Sequence, residues 1–248
     1  MSESDLILKN DFDVEFLLIE TSHPGNVGAC ARAIKNMGFN KLGLLNPLNF
    51  PSEEAFYRAK GAGDILDSAK IYSSLDEALS EKTLILGTSA RDRTIPWPTV
   101  FTNNIDKDIS NLDNKNKISI LFGREKSGLT NEELQRCHMH IKIPSSEDYT
   151  SLNLSHAVQI ISYELRNALL KNQNNEIKAD VPLSTDKDDE FLLKHVDEVL
   201  LGLDFYDQNS SRQVKARLKR LLKKARPDKL EVGILRGFLS KIQELLNK

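Results

Sequence analysis

Five short apolar runs alternate with segments of helical period through the first 170 of the chain's 248 residues: FLLI at 16–19, KLGLL at 41–45, TLILG at 83–87, ISILFG at 118–123 and HIKI at 140–143. Runs that are apolar at consecutive positions read as strands covered on both faces. Helices between such strands imply an α/β domain, a mostly parallel sheet with helices on both faces. Val27, Cys30 or Ala31, Ile34 and Met37 give the inner face of one helix, with Gly38 as its left-handed terminator. Further helices are expected over 53–62 and around Leu75–Leu79. Thr130 and Glu133 spell a capping box, flanked by Leu129 and Leu134 as a hydrophobic staple, so another helix starts near Asn131. The longest helix of this half keeps Leu154, Ala157, Val158, Ile161, Leu165, Ala168 and Leu169 on one face, with Ser151 as its expected cap. Ligands of such sheets bind outside the carboxyl ends of the strands, which directs attention to the loops after each run.

Beyond this domain, 1–170, the stretch 171–189 is polar, lacks a core period and reads as a linker. Residues 190–248 hold three helical patterns, at 190–201, 211–225 and 228–246, which make a small helical bundle, marginal by itself. Charge is segregated along the chain. From Arg212 to Lys248 twelve Lys and Arg face three acids, a formal +9, whereas residues 176–211 carry ten acids against three lysines, a formal −7. In the second pattern Val214, Leu218, Leu221, Leu222 and Ala225 give a buried stripe that leaves Arg217, Lys219, Arg220, Lys223 and Lys224 facing outward. A neutral body, an acidic connector and a basic tail imply that a polyanion is gripped mainly by the carboxyl end.

Several classes are excluded by what the sequence lacks. No stretch approaches the roughly 18–20 apolar residues of a membrane span, and the opening MSESDLILKN has neither the basic nor the apolar region of a signal peptide. No membrane partner is expected. Two cysteines, Cys30 and Cys137, are too few for a disulfide framework and suit a cytoplasmic setting.

GREKSG at 123–128 nearly spells a phosphate-binding loop, but Leu129 and Thr130 stand where that motif needs a lysine and a hydroxyl, so the phosphate counter-charge is missing. Cys137, His138 and His140 are close in sequence, yet no fourth ligand is spaced to complete a zinc shell, and no metal is expected. Three loops at strand ends have another character: TSHPGNVGACAR at 21–32, GTSARDR at 87–93 and IPSSEDYTSLNLS at 143–155 combine small residues with backbone that a ligand can approach. Spacing alone leaves Arg32 open as either a surface cation or a contact at the mouth of a site.

The segments NVGACAR, LFGREKSGL and IPSSEDYTSLNLS resemble, in order and spacing, the three motifs of the SpoU-type (TrmH-like) RNA ribose 2'-O-methyltransferases of the SPOUT superfamily. FLLIETSHPGNVGACARAIKNMGF, GTSAR, PWP at 96–98 and FGREKSGLTNEELQRC are similar to the TrmJ-type branch, which methylates cytidine or uridine 32 of the tRNA anticodon loop. The likeness is close over 14–170 and looser over the tail. It implies a sheet whose carboxyl-terminal part is tied in a deep trefoil knot, a topology that general rules of chain threading would reject. It also implies a homodimer, tRNA as substrate and S-adenosyl-L-methionine as cofactor. Matched by motif, the cofactor site comprises Thr88, Ser89, Ala90, Gly123, Ile143, Thr150, Ser151, Leu152 and Asn153. Arg32 falls at the catalytic arginine. Asn26 and Glu125 also match motif positions, as loop organisers or proton acceptor, while Ser151 and Asn153 serve equally well as helix caps. A guanidinium is not an ordinary base, so either its surroundings change that or it positions the ribose hydroxyl and adjacent phosphate. The motifs leave open an RNA target other than tRNA nucleotide 32, and a knotted RNA-binding protein without catalysis.

Overall fold

The computed structural model describes residues 12–89, 97–109, 116–146, 148–172, 181–206 and 212–246. Seven strands, β1 (Asp13–Ile19), β2 (Lys41–Leu45), β3 (Lys70–Tyr72), β4 (Leu84–Thr88), β5 (Thr99–Phe101), β6 (Lys117–Phe122) and β7 (Met139–Lys142), form one sheet. Their order is β3-β2-β1-β6-β4-β7-β5, and each pairing is parallel. Val14, Phe16 and Leu18 of β1 enter one core with α1 (Pro24–Asn36), α2 (Glu53–Ala59), α3 (Gly63–Asp67), α5 (Ile105–Asp108) and α7 (Leu154–Asn172). Leu17 and Ile19 enter the opposite core with α4 (Leu75–Leu79) and α6 (Asn131–Gln135). Helices on both faces thus explain the continuous apolar runs of the central strands, such as Phe16–Ile19 and Ile120–Phe122.

All five expected strands are present, and β3 and β5 are additional. Each has three residues and lies at an edge of the sheet, too short to show a period. The helix expected over 53–62 ends at Ala59 and gives way to a 3-10 turn over Lys60–Ala62. Gly38 takes φ +78° just after α1, as a terminator should. Of the two residues expected as caps of α7, one holds the position. Asn153, not Ser151, accepts the amide of Ser155 at 2.9 Å, and α7 begins at Leu154.

The tail holds α8 (Asp186–Gly202), α9 (Arg212–Ala225) and α10 (Lys229–Leu246). Helix α8 begins four residues before the expected 190, because Thr185 and Asp188 form a capping box inside the stretch read as linker. Its acids face α9: Lys215 pairs with Asp197 at 2.8 Å, Lys219 with Glu190 at 2.8 Å, and Lys223 with Asp186 and Asp189 at 2.9 Å each. A spacing of four puts these lysines on one helix face. That face turns inward. Lys223, expected outside, is fully buried, and Lys219 is largely covered, whereas Leu221, expected inside, is 64% exposed. The apolar stripe was the wrong guide because a row of acids outbid it for the same helix. Only Arg217 and Lys224 of the five expected surface cations are exposed, with Arg220 half-buried.

The same acids join the tail to the sheet. Arg136 pairs with Asp186 and Asp76, and the amides of Asp186 and Lys187 donate to the carbonyls of Lys82 and Ser80. His138 accepts the Ile85 amide at Nδ1 (3.0 Å) and faces Asp189 at 3.7 Å through Nε2. Burial, aided by the Lys223 charge, pushes the His138 pKa down to about 4. The imidazole is therefore neutral in the fold and gains a proton on unfolding between about pH 6.5 and 4, so stability falls across that window by up to about 3 kcal/mol as pH drops. Asp189 behaves separately. Burial raises its pKa, but His138, Lys223 and Ser184 outweigh that and hold it at about 2, so its contribution is present above about pH 4 and is lost as pH falls toward 2. Thermal midpoints should therefore decline between pH 6.5 and 4 in the native chain and much less in His138→Asn, which keeps an acceptor for the Ile85 amide. Parallel curves would remove His138 from this role.

Candidate functional site

The loop after β6 is closed on itself by backbone. Gly128 N donates to Arg124 O at 2.8 Å, and residues 124 and 128 form an antiparallel bridge. Gly123 is required by closeness: an added Cβ would lie 2.1 Å from Gly128 C and 2.2 Å from Leu129 N. Gly128 is required by conformation, with φ +70° and open space around it. Arg124 fastens the loop to its surroundings, donating to Glu20 at 2.8 Å and to both carboxylate oxygens of Glu133 at 3.1 Å. Glu133 is also the third residue of the α6 capping box, so the loop and the helix start share one anchor.

This loop forms one wall of a cleft of about 210 Å3 at the carboxyl ends of β4, β6 and β7. Thr88 and Ser89 line it from β4, Phe122 to Leu129 from β6, Ile141 and Ile143 from β7, and Thr150 to Leu152, Leu154 and Ala157 from the approach to α7. Seven of the nine motif-matched cofactor residues are therefore together: Thr88, Ser89, Gly123, Ile143, Thr150, Ser151 and Leu152. Asn153 stands outside this lining, and Ala90 lies outside the described residues. Sequence reasoning missed the apolar bed made by Phe122, Leu129 and Ile141, which as core residues of strands and a staple carry no separate signal.

At the mouth, Glu125 gathers the start of α1. Its carboxylate accepts from Ser22 N and Oγ (both 3.2 Å), His23 N (3.3 Å) and Asn26 Nδ2 (3.2 Å). Asn153 Nδ2 in turn donates to Asn26 Oδ1 at 3.2 Å. Burial raises the Glu125 pKa, but hydrogen bonds from its own amide, Asn26, Ser22 and His23 outweigh it and hold the carboxyl below the usual range. Glu125 is thus an ionised anchor at the positive end of α1 and a weak proton acceptor. Arg32 is exposed, does not line this cleft, and has no hydrogen-bond or ion-pair partner among the described residues. The Cys137, His138 and His140 cluster is occupied by structural bonds: Cys137 Sγ donates to Glu133 O, His138 Nδ1 accepts from Ile85, and His140 Nε2 meets Leu134 O at 3.1 Å. Among the described residues no group of three side chains is placed to hold a metal, and no helix is long and apolar enough to cross a membrane.

Residues 13–163 match the SpoU rRNA Methylase family, and residues 187–248 match the C-terminal domain of the tRNA methyltransferase TrmJ. The chain is 42% identical over 242 residues to the tRNA (cytidine/uridine/adenosine-2'-O-)-methyltransferase TrmJ of Pseudomonas aeruginosa, covering 94% of each. It is 43% identical to the tRNA (cytidine/uridine-2'-O-)-methyltransferase TrmJ of Salmonella choleraesuis, covering 94% of this chain and 97% of that one. The crystal structure of TrmJ from Z. mobilis superposes with a TM-score of 0.78 at 26% identity, over 92% of this chain and 98% of that one.

Proposed function

This chain belongs to the SpoU methylase family, and we propose on that premise that it transfers a methyl group from S-adenosyl-L-methionine to the ribose 2'-hydroxyl of tRNA, at cytidine or uridine 32 of the anticodon loop. The observation that carries the reading is the meeting of three chain segments, around 88–89, 123–129 and 141–157, in one cleft at the carboxyl ends of the strands. Its lining fits a purine nucleoside: Phe122, Leu129, Ile141 and Ile143 offer apolar walls, and Thr88, Ser89, Thr150 and Ser151 offer hydroxyls.

When bound, the cofactor supplies an activated methyl. What remains for the protein is to aim a ribose hydroxyl at it and ease the loss of a proton. Arg32 is the residue proposed to orient the hydroxyl and the neighbouring phosphate, with Glu125 and Asn26 holding the start of its helix in place. Within one chain Arg32 does not line the cleft. A homodimer, which the family resemblance implies along with the trefoil knot, would bring it to the partner's cleft. The enzyme would act in the cytoplasm. The test is methyl transfer from labelled cofactor to bulk tRNA, followed by mapping of the methylated ribose. Methylation of nucleotide 32 supports the full reading, another position corrects the site alone, and no transfer to tRNA removes the function.

The tail's share in RNA binding can be tested on the full chain. Because Lys215, Lys219 and Lys223 are engaged with α8 and Arg220 is half-buried, the proposed phosphate contacts narrow to Arg217 and Lys224. Replacing both by Ala should weaken tRNA binding and reduce the slope of log affinity against log salt by about 1.5, since each phosphate contact contributes about 0.7–0.9. An unchanged slope would remove Arg217 and Lys224 from RNA binding.

A further inference from the structure

Gly25, Gly28, Arg32 and Lys35 are separated by three or four residues and share one face of α1. That face meets α2. A Cβ on Gly28 would lie 2.0 Å from Ala55 O, and one on Gly25 would lie 2.7 Å from Glu54 Oε1 and 3.6 Å from Arg58 Cγ. Lys35 Nζ donates to Gly61 O at 3.0 Å and pairs with Asp64 at 2.7 Å. Arg32, one turn beyond Gly28 and one short of Lys35, lies on the same face between these two contacts with the segment 55–64.

That end of α2 is unusual surface. Tyr57 is 69% exposed and Phe56 37% exposed. Lys60 Nζ lies 4.4 Å from the centroid of the Tyr57 ring, over one of its faces. Arg32, Arg58 and Lys60 have no ion-pair partner among the described residues, unlike Lys35, Lys41 and Lys117, which pair with Asp64, Asp13 and Glu81. The two acids of α2, Glu53 and Glu54, occupy its first turn. Unpaired cations around an open aromatic face suit a single-stranded nucleic acid, whose bases stack on such rings while its phosphates meet the cations.

We infer that Tyr57, Arg58 and Lys60 form a platform for an unpaired nucleotide of the RNA loop beside the target ribose, with the base on the open face of Tyr57 and the phosphates at Arg58 and Lys60. This rests on the RNA methyltransferase reading and adds a binding surface next to Arg32. An acidic protein segment is the competing occupant, but an exposed ring beside the cations gives a base something to stack on, which favours a nucleic acid.

The experiment measures methylation of tRNA by the full-length enzyme over a range of tRNA concentrations, with cofactor affinity and thermal midpoint alongside. Tyr57→Ala should raise KM for tRNA about tenfold, the order expected for a lost base–aromatic stack, leave kcat within about twofold, and leave cofactor affinity and the midpoint unchanged, because the side chain is exposed. Tyr57→Phe should restore the native KM. Arg58→Ala with Lys60→Ala should also raise KM and flatten its salt dependence. An unchanged KM in Tyr57→Ala overturns the platform. So does failure of Phe to rescue, or a change of oligomeric state in place of KM, which would make the surface a protein interface. If the native enzyme methylates no tRNA, the functional reading fails first and is recognised by that control.

Discussion

Arg32→Ala is expected to lower kcat/KM for tRNA methylation at least about a hundredfold, a loss of about 3 kcal/mol of transition-state stabilisation. The structure makes this a clean test. Arg32 is exposed and has no partner among the described residues, so its removal opens no cavity and leaves no buried charge; the thermal midpoint should not move. Its proposed partner is the ribose hydroxyl and neighbouring phosphate, not the cofactor, so cofactor affinity should stay near native. Arg32→Lys keeps the charge but loses the planar fork, and should remain well below native activity if the guanidinium positions hydroxyl and phosphate together. Near-native turnover in Arg32→Ala would remove this residue from the chemistry.

The second large effect is at Gly123. A side chain there meets the carbonyl carbon of Gly128 and the nitrogen of Leu129, backbone atoms that cannot swing aside. To admit Val, the loop must break the Arg124–Gly128 bridge and pull on Arg124, which is fastened to Glu133 and through it to the start of α6. Gly123→Val should therefore cost about 1–3 kcal/mol of stability and weaken cofactor binding more than tenfold, since the displaced segment is a wall of the cleft. Calorimetric titration with S-adenosyl-L-methionine reads the second effect, and unchanged affinity would mean the cofactor lies elsewhere. Gly128→Ala should be milder. No atom lies within 4 Å of the added carbon, and the cost is the strain of φ +70°.

The two halves of the chain differ in how readily their sequence can be read. In the first, buried strands announce themselves as continuous apolar runs, and the capping box at Thr130 and Glu133 places α6 to the residue. The cleft was legible because its lining comes from loops at strand ends, where the class of fold puts ligands. The three-residue edge strands escaped because nothing repeats within them. In the tail, periodicity pointed to Leu221 as buried and Lys223 as exposed, and both are reversed. The +9 and −7 segments looked like an RNA grip beside a solvated connector. They are in part each other's partner, and no local pattern in either segment reveals a pairing made across some thirty residues.

The sheet order also has a consequence for how the chain comes into being. β1 pairs on one side with β2, which follows within about thirty residues, but on the other side with β6, as in Asp13 with Lys117, about a hundred residues later. With every pairing parallel, no hairpin can stand in while the chain is incomplete. At synthesis rates of roughly 5–20 residues per second, the β6-facing edge of β1 waits roughly 5–20 s on the ribosome for its neighbour. Phe16, Leu17 and Leu18, fully covered in the finished protein, spend that interval on an open strand edge. The nascent chain is therefore most exposed to misassociation between emergence of β2 and of β6, and mistakes in its production should concentrate in that interval.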